Sequence, residues 1–279
     1  MIGWRFLFSR QWAGYLALTV LFAVICAGLG MWQLDRRGQA LAEIALVQSN
    51  FDSDPVPLQQ ALPSLDAFRD SQKWLPVSLS GRYLTEDTML VRNRPLNGNP
   101  GFEVIVPFQL ADGNVFVVDR GWLPTGQKQD APDVVPEAPA GQVTVTARLK
   151  AGEPTISGRS ASGNQIATIN LPEIAARIGE PTYTGAYGLL DSEDPAPAER
   201  PVAVTKPIPD EGPHLSYAFQ WFTFGLLGFI GLIWAARQEF RTRNADDPEE
   251  RERAEERARR RAAKPRSDAE VEDELLGNR

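Results

Sequence analysis

The sequence predicts a membrane protein in which two transmembrane α-helices flank an extracytoplasmic, β-rich α+β domain, either an antiparallel sandwich or a partly open barrel. Three observations lead there. Two long uncharged apolar runs lie near the two ends of the 279-residue chain, the stretch between them alternates apolar and polar residues, and arginines cluster on the outer flanks of the two runs.

The first run extends from Trp12 to Leu34. At ~1.5 Å per residue its roughly 23 residues match the ~30 Å hydrocarbon layer. It is longer than the apolar stretch of a signal peptide and leads directly into Trp32-Gln33-Leu34-Asp35-Arg36-Arg37, so an uncleaved anchor is expected rather than a removed signal. Cys26, the only cysteine, lies inside this run, so no intramolecular disulfide and no cysteine-based zinc site can be built, and Ile25 stands where a lipoprotein signal calls for a small residue. From Asp35 to Phe51 good helix formers continue without proline, so the first helix is expected to run on beyond the bilayer. The second run, Leu215 to Ala236, is followed by Arg237, Arg241 and Arg243 and preceded by Asp210 and Glu211, while Arg5 and Arg10 precede the first. The positive-inside bias then puts both termini in the cytoplasm, although Arg36 and Arg37 pull weakly the other way. The resulting division is a cytoplasmic N-terminus (1–11), a first membrane helix (12–34), an extracytoplasmic domain (35–213), a second membrane helix (214–236) and a charged cytoplasmic tail (237–279).

Between the helices, Asp52 to Pro76 reads as loop and short helix, punctuated by Pro55, Pro57 and Pro63. Strand character begins at Pro76: Val77, Leu79, Gly81 and Tyr83 alternate with Ser78, Ser80 and Arg82. Thr88 to Asn93 is a second strand. Phe102 to Leu110 and Val115 to Val118 are apolar runs separated by a segment containing Asp112-Gly113, a hairpin signal, and Pro107 makes its strand an edge or a bulged one. Gln142 to Lys150 alternates clearly. Ile166 to Asn170, Tyr183 to Leu190 and Pro201 to Lys206 are weaker strands, and Leu171 to Ile178 is a short helix stopped by Gly179. Consecutive hairpin-like strands favour an antiparallel sheet over a parallel α/β fold.

Composition excludes several functions. The net charge is −7, and residues 35–214 hold 15 basic against 23 acidic side chains, which argues against nucleic-acid binding. Residues 237–279, with 12 basic and 13 acidic side chains, have too few apolar residues for a core and read as solvated helix or disorder. The single histidine, His214, sits at the start of the second membrane helix, which leaves no ordinary Ser-His-Asp or Cys-His arrangement; no phosphate-binding glycine motif occurs either. No enzymatic activity and no bound metal cluster are expected.

Two stretches are candidates for function. The first joins Asn93-Arg94-Pro95, Gly101-Phe102 and Asp119-Arg120-Gly121-Trp122. Its ordinary reading is structural, with Arg120 or Arg94 pairing with Asp119 or Glu103 while Gly101 and Gly121 serve turns; its functional reading is a rigid edge that docks another protein. The second is the segment from Glu211 to Phe222, where His214, Tyr217 and Trp221 fall on one helix face at helical spacing. Interfacial anchoring in membrane lipid is the ordinary reading. Gln33 in the first helix and Gln220 in the second are polar groups in apolar surroundings, expected to bond each other or a client helix. Small residues, among them Ala23, Ala27, Gly28 and Gly30 on one helix and Gly225, Gly228 and Gly231 on the other, allow close pairing of the two helices or docking onto another membrane protein.

These strings resemble the surfeit locus (Surf/Shy) family of cytochrome c oxidase assembly factors. Leu29-Gly30-Met31-Trp32-Gln33-Leu34 with Arg36 is similar to the signature at the end of that family's first helix. Asn93-Arg94-Pro95, Pro100-Gly101-Phe102, Pro107-Phe108 and Val118-Asp119-Arg120-Gly121-Trp122-Leu123-Pro124 resemble its central motifs, and His214 to Phe222 resembles the opening of its second helix. The resemblance implies a non-enzymatic factor in the cell membrane of a bacterium, or the inner mitochondrial membrane of a eukaryote. It further implies action on the haem-bearing catalytic subunit of the oxidase, around insertion of haem a, with the haem a synthesis machinery as a further partner. His214 is then a candidate haem a ligand, with Tyr217 and Trp221 beside it. The alternative is a membrane-tethered extracytoplasmic binding module or scaffold for another respiratory or envelope complex, without haem binding. Pro132 to Pro139 and the charged tail fall outside the resemblance.

Overall fold

The computed structural model describes residues 3–159 and 161–263. The chain divides into two compact units, one made of residues 1–38 with 212–279 and the other of Gln39–Glu211.

The first unit is helical. A 3-10 turn, Trp4–Phe8, precedes α1 (Arg10–Asn50), whose residues past Gly38 belong to the second unit; α4 (His214–Arg243) and α5 (Pro248–Ala262) complete it. Helices α1 and α4 are both long and apolar enough to cross a membrane. Their most apolar windows are only 11% buried, which a core helix of a soluble domain would not tolerate. The two helices touch through small residues, as the sequence suggests. A Cβ on Gly30 would stand 2.6 Å from the Phe222 ring, and Gly225 and Gly228 lie against Cys26 and Phe22, whereas Gly28 and Gly231 face open space. Near the other end of the pair the Trp4 ring stacks on Phe240 at 4.4 Å and Arg243 lies over Phe6 at 5.3 Å. The acidic and basic side chains of α5 pair with one another, for example Glu249 with Arg253 and Glu256 with Arg260, so the start of the tail is solvated helix.

The second unit is a closed barrel. Its strands are β1 (Val56–Pro57), β2 (Pro76–Tyr83), β3 (Met89–Val91), β4 (Gly101–Leu110), β5 (Val115–Pro124), β6 (Val143–Ala151), β7 (Gln165–Ile166) and β8 (Ala186–Asp194). Strands β2, β6, β8, β5 and β4 form a ring that β2–β4 pairing closes; only β5–β8 is parallel within it. Numbered along the chain, the ring runs 1-2-3-5-4-1, the connectivity of the five-stranded Greek-key barrel called the OB-fold. Of the two sheet architectures open from sequence, the barrel is the one present. β1, β3 and β7 are short additions to its edges.

Alternation on β2 and β6 sends Val77, Leu79, Tyr83, Val143, Val145, Ala147 and Leu149 into the lumen, where they meet Val104, Val106, Phe108, Phe116 and Val118. The opposite faces of β4, β5 and β8 carry Ile105, Val117, Tyr187 and Leu189 into a second cluster with Val47 of α1, Phe51 just beyond its end, Trp74, and Leu171 and Ile174 of α3 (Leu171–Ile178). Burial on both faces explains why β4 and β5 read as continuous apolar runs rather than as alternation. Polar contacts hold the end of α1 within this unit: Asn50 donates to the Ser71 and Lys73 carbonyls at 2.9 and 2.8 Å, and Arg148 donates to the Phe51 carbonyl while stacking 3.9 Å from its ring.

Several boundaries differ from expectation for identifiable reasons. Pro107 lies on neither an edge nor a bulge. One side of β4 pairs with β3 over residues 103–105 and with β2 over residues 108–110, and proline's missing N–H falls between the two partners. The bulge is upstream, where Arg120 and Gly121 together oppose Val104. Strand β5 runs on to Pro124 and β8 to Asp194. The stretch from Pro201 contributes a single bridge, between Val202 and Trp122.

Candidate functional site

The barrel motif residues converge on one end of the β4–β5 pair. Asn93 takes a left-handed conformation, φ 57°, that turns the chain so that the Arg94 amide donates to the Gly101 carbonyl at 2.9 Å. The next turn, with Asn97 at φ 50° and Gly98 at φ 80°, is the Asn-Gly hairpin of Leu96 and Asn99. Trp122 lies across the Gly101 backbone and its indole N–H donates to the Arg94 carbonyl at 2.6 Å. A Cβ on Gly101 would stand 2.4 Å from that ring, so this glycine is needed for close approach, not for a turn.

One of the two charge pairings expected from the sequence is present and the other is not. Arg94 forms an ion pair with Glu103, at 2.9 Å, and a second with Glu153. The Arg94 Nε and Glu103 Oε2 are close but poorly aligned, since neither completes a hydrogen bond. Arg120 does not pair with Asp119. Consecutive strand residues point to opposite faces, so Arg120 enters the lumen end, where it bonds Glu193 at 2.8 Å and the Pro136 carbonyl at 3.0 Å and lies 5.5 Å from the Tyr83 ring centre. Tyr83 donates to the other oxygen of Glu193 at 2.8 Å. Burial, then Glu193, pushes the Tyr83 phenol far up, so it remains a donor.

Asp119 points to the other face, fully buried, and accepts the Gly121 N–H at 2.9 Å on one oxygen while the second has no hydrogen-bond partner. Burial first, and the nearby Glu103 second, push its carboxyl up to about 8. Burial also raises Glu103 despite Arg94. For Glu153 burial is outweighed by the bonds from Arg94 and the Ile169 N–H, and its carboxyl is held low. Gly121 has φ 126°, and a Cβ there would meet the Val202 carbonyl oxygen at 2.4 Å.

Sequence reasoning missed Tyr83, Pro136, Glu153 and Glu193. Glu193 and Glu153 lie 73 and 59 residues from the arginines they bond, and only strand register brings them together. Pro136 belongs to the proline-rich segment that had no assigned role; its carbonyl caps Arg120, and Val135 and Ala138 pack on the lumen core.

In the helical unit, His214 is the first residue of α4, half-buried, and its Nδ1 lies 2.9 Å from the Gln33 side-chain oxygen of α1. Gln33 thus bonds the histidine and not Gln220, which is exposed. Tyr217 is exposed, Trp32 and Arg36 are exposed, and the half-buried Trp221 packs edge-on against Phe224. Gly212, at φ 67°, has no Cβ to crowd the imidazole; one would stand 3.3 Å from Nε2 and Cδ2. Among the described residues no group of three or more His, Cys, Asp and Glu side chains is placed to hold a metal ion.

Comparison with known proteins gives a consistent result. The model of the SURF1 family matches residues 20–226. SURF1-like proteins of Mycobacterium bovis and Mycobacterium tuberculosis are 32% identical over 246 residues, which is 86% of this chain and 89% of each of theirs. A SURF1-like protein of Monosiga brevicollis is 28% identical over 249 residues, 82% of this chain and 90% of that one. The resemblance drawn from the motif strings therefore holds from the first long helix through the barrel into the start of the second, and the chain belongs to the SURF1 family.

Proposed function

We propose that this protein is a membrane-anchored, non-enzymatic assembly factor for cytochrome c oxidase, serving maturation of the haem-bearing catalytic subunit, with haem a as its cargo. The observation that carries the reading is His214, a half-buried imidazole held by Gln33 at the start of an apolar helix. The donor set fits a transient haem contact. One ring nitrogen is committed to Gln33, the edge bearing the other is uncrowded by Gly212, and no second histidine or exposed cysteine competes. Tyr217, beside it on the exposed face, and Trp221 offer aromatic cover for a porphyrin at headgroup depth. A single axial ligand holds haem weakly, which suits passage to a client with better coordination.

In this reading the barrel is extracytoplasmic and both termini are cytoplasmic, supported by the arginines that flank the two helices. The family membership supports the oxidase as client, and haem a synthesis machinery is the natural upstream partner. The test compares wild type with His214→Ala and His214→Met, produced alongside haem a synthesis in cells lacking the native protein. Haem content and the Soret band should collapse in the alanine variant and shift in the methionine variant, with haem a absorbance of the oxidase reduced in the membranes of both. Unchanged spectra at equal protein levels would leave His214 an interfacial anchor.

A further inference from the structure

The Gln33–His214 bond constrains more than position. An imidazole has two neutral forms, with the proton on Nδ1 or on Nε2, and only the nitrogen without the proton can accept a hydrogen bond or bind an electrophile. In water the Nε2–H form is the favoured one. Here Nδ1 faces the side-chain oxygen of Gln33 at 2.9 Å, and a carbonyl oxygen can only accept. The proton must then be on Nδ1, and the lone pair is on Nε2. That is also the ring edge beside Gly212, where the absent Cβ leaves the approach open.

An amide can rotate. If Gln33 turned its NH2 toward Nδ1, the same pair would still be hydrogen-bonded, but the histidine proton would move to Nε2 and close that nitrogen to a ligand. The two arrangements have the same heavy-atom positions and opposite chemistry. Side chains that orient a metal-binding histidine act in this way, through the nitrogen that does not touch the metal.

We propose that Gln33 is the positioning residue of this site: its carbonyl holds His214 in the Nδ1–H form and presents Nε2 as a lone-pair donor. The tautomer does not depend on what binds; its consequence for haem rests on the function proposed above. Gln33→Glu keeps an acceptor of the same length and cannot donate when ionised, so it preserves the form. Gln33→Met keeps the length and loses the bond, so the imidazole reverts toward the Nε2–H form. Loss of such a partner typically weakens metal binding by about 10–100-fold.

Because His214 is the only histidine, the full chain labelled with imidazole-¹⁵N histidine and placed in lipid nanodiscs gives one pair of ring-nitrogen signals. In the alkaline range and without haem, wild type and Gln33→Glu should show a protonated Nδ1 and an unprotonated Nε2, and Gln33→Met should show the reverse as the major species. A wild-type Nε2–H signal, or a methionine variant indistinguishable from wild type, would overturn the proposal. Haemin titration of the same samples is read separately: about 10–100-fold weaker binding in the methionine variant extends the role to the cargo. If the tautomers behave as stated and no variant binds haem, Gln33 positions the ring and the haem reading fails.

Discussion

Asp119→Asn should stabilise this protein at neutral and alkaline pH and remove most of a pH dependence that the wild type carries. The carboxyl is fully buried, one oxygen has no hydrogen-bond partner, and burial together with Glu103 pushes it up to about 8 from an ordinary value of 3.8. The folded protein therefore retains a proton that the unfolded chain releases near pH 4. Where the native state binds more protons than the unfolded one, stability falls as pH rises. The contribution is present in full below about pH 4 and is lost progressively until pH passes about 8. At ~1.4 kcal/mol per pH unit, an isolated group would lose on the order of 4 kcal/mol between acid and pH 7. Glu103 titrates with it, so part of that loss belongs to the pair rather than to Asp119 alone, and about 2–3 kcal/mol is the working expectation.

Asparagine has the shape of the protonated acid, keeps the acceptor for the Gly121 N–H, and never ionises. The assay is urea unfolding of the full chain in detergent from about pH 5 to about pH 9, followed by tryptophan fluorescence, to which Trp74 and Trp122 of the barrel contribute. The wild-type midpoint should fall across this range while that of the variant stays nearly flat, the two separating most above about pH 7. Parallel curves, or a variant less stable than wild type at alkaline pH, would refute the reasoning and make Asp119 an ionised, well-paired carboxylate.

Gly121→Ala places a Cβ 2.4 Å from the Val202 carbonyl oxygen at φ 126°, and should cost about 2–3 kcal/mol by thermal melting and accelerate proteolysis near Val202. Arg120→Ala leaves Glu193 and the Pro136 carbonyl without their buried partner and should cost about 3–5 kcal/mol, whereas Arg120→Met with Glu193→Gln, which leaves no buried charge, should recover part of that loss in the same melt. A reporter active only in an exported compartment should work when fused near Gly163 and fail when fused after Asn244; the opposite pattern would invert the topology.

What the sequence makes legible follows the range of the interactions involved. The two long helices, the alternating strands β2 and β6 and the α3 stop at Gly179 are written in local periodicity and turn chemistry, and each forms where the pattern places it. Closure of the ring was not legible. It depends on β2 dividing one of its edges between β1 and β4, a division that no local pattern signals. The same holds for the charges. Glu153 and Glu193 look like surface carboxylates in the sequence, and Asp119-Arg120 looks like a neighbouring ion pair, because adjacency along a chain suggests contact where a strand enforces opposite faces. The bulge at Arg120-Gly121 adds to this, since it decides which side chain enters the lumen and which meets Glu103.

The motif strings reduce to two loci, and their chemistry differs. In the barrel, the polar groups of Asn93-Arg94-Pro95 and Val118 to Pro124 are engaged within the fold: the Trp122 indole on the Arg94 carbonyl, Arg94 in ion pairs with Glu103 and Glu153, and Arg120 on Glu193 and the Pro136 carbonyl. Side chains so engaged hold a bulged strand end and a closed ring in place. In the helical unit, the strings that end the first apolar run and open the second meet in one bond, between Gln33 and His214, and in the tautomer proposed above that bond leaves Nε2 with its lone pair uncommitted. A reactive lone pair on a fixed imidazole is a chemical resource, whereas a satisfied ion pair is a structural one. That difference is why the proposed cargo contact lies at His214 and the proposed supporting role with the barrel motifs, even though the barrel motifs are the longer and more charged of the two.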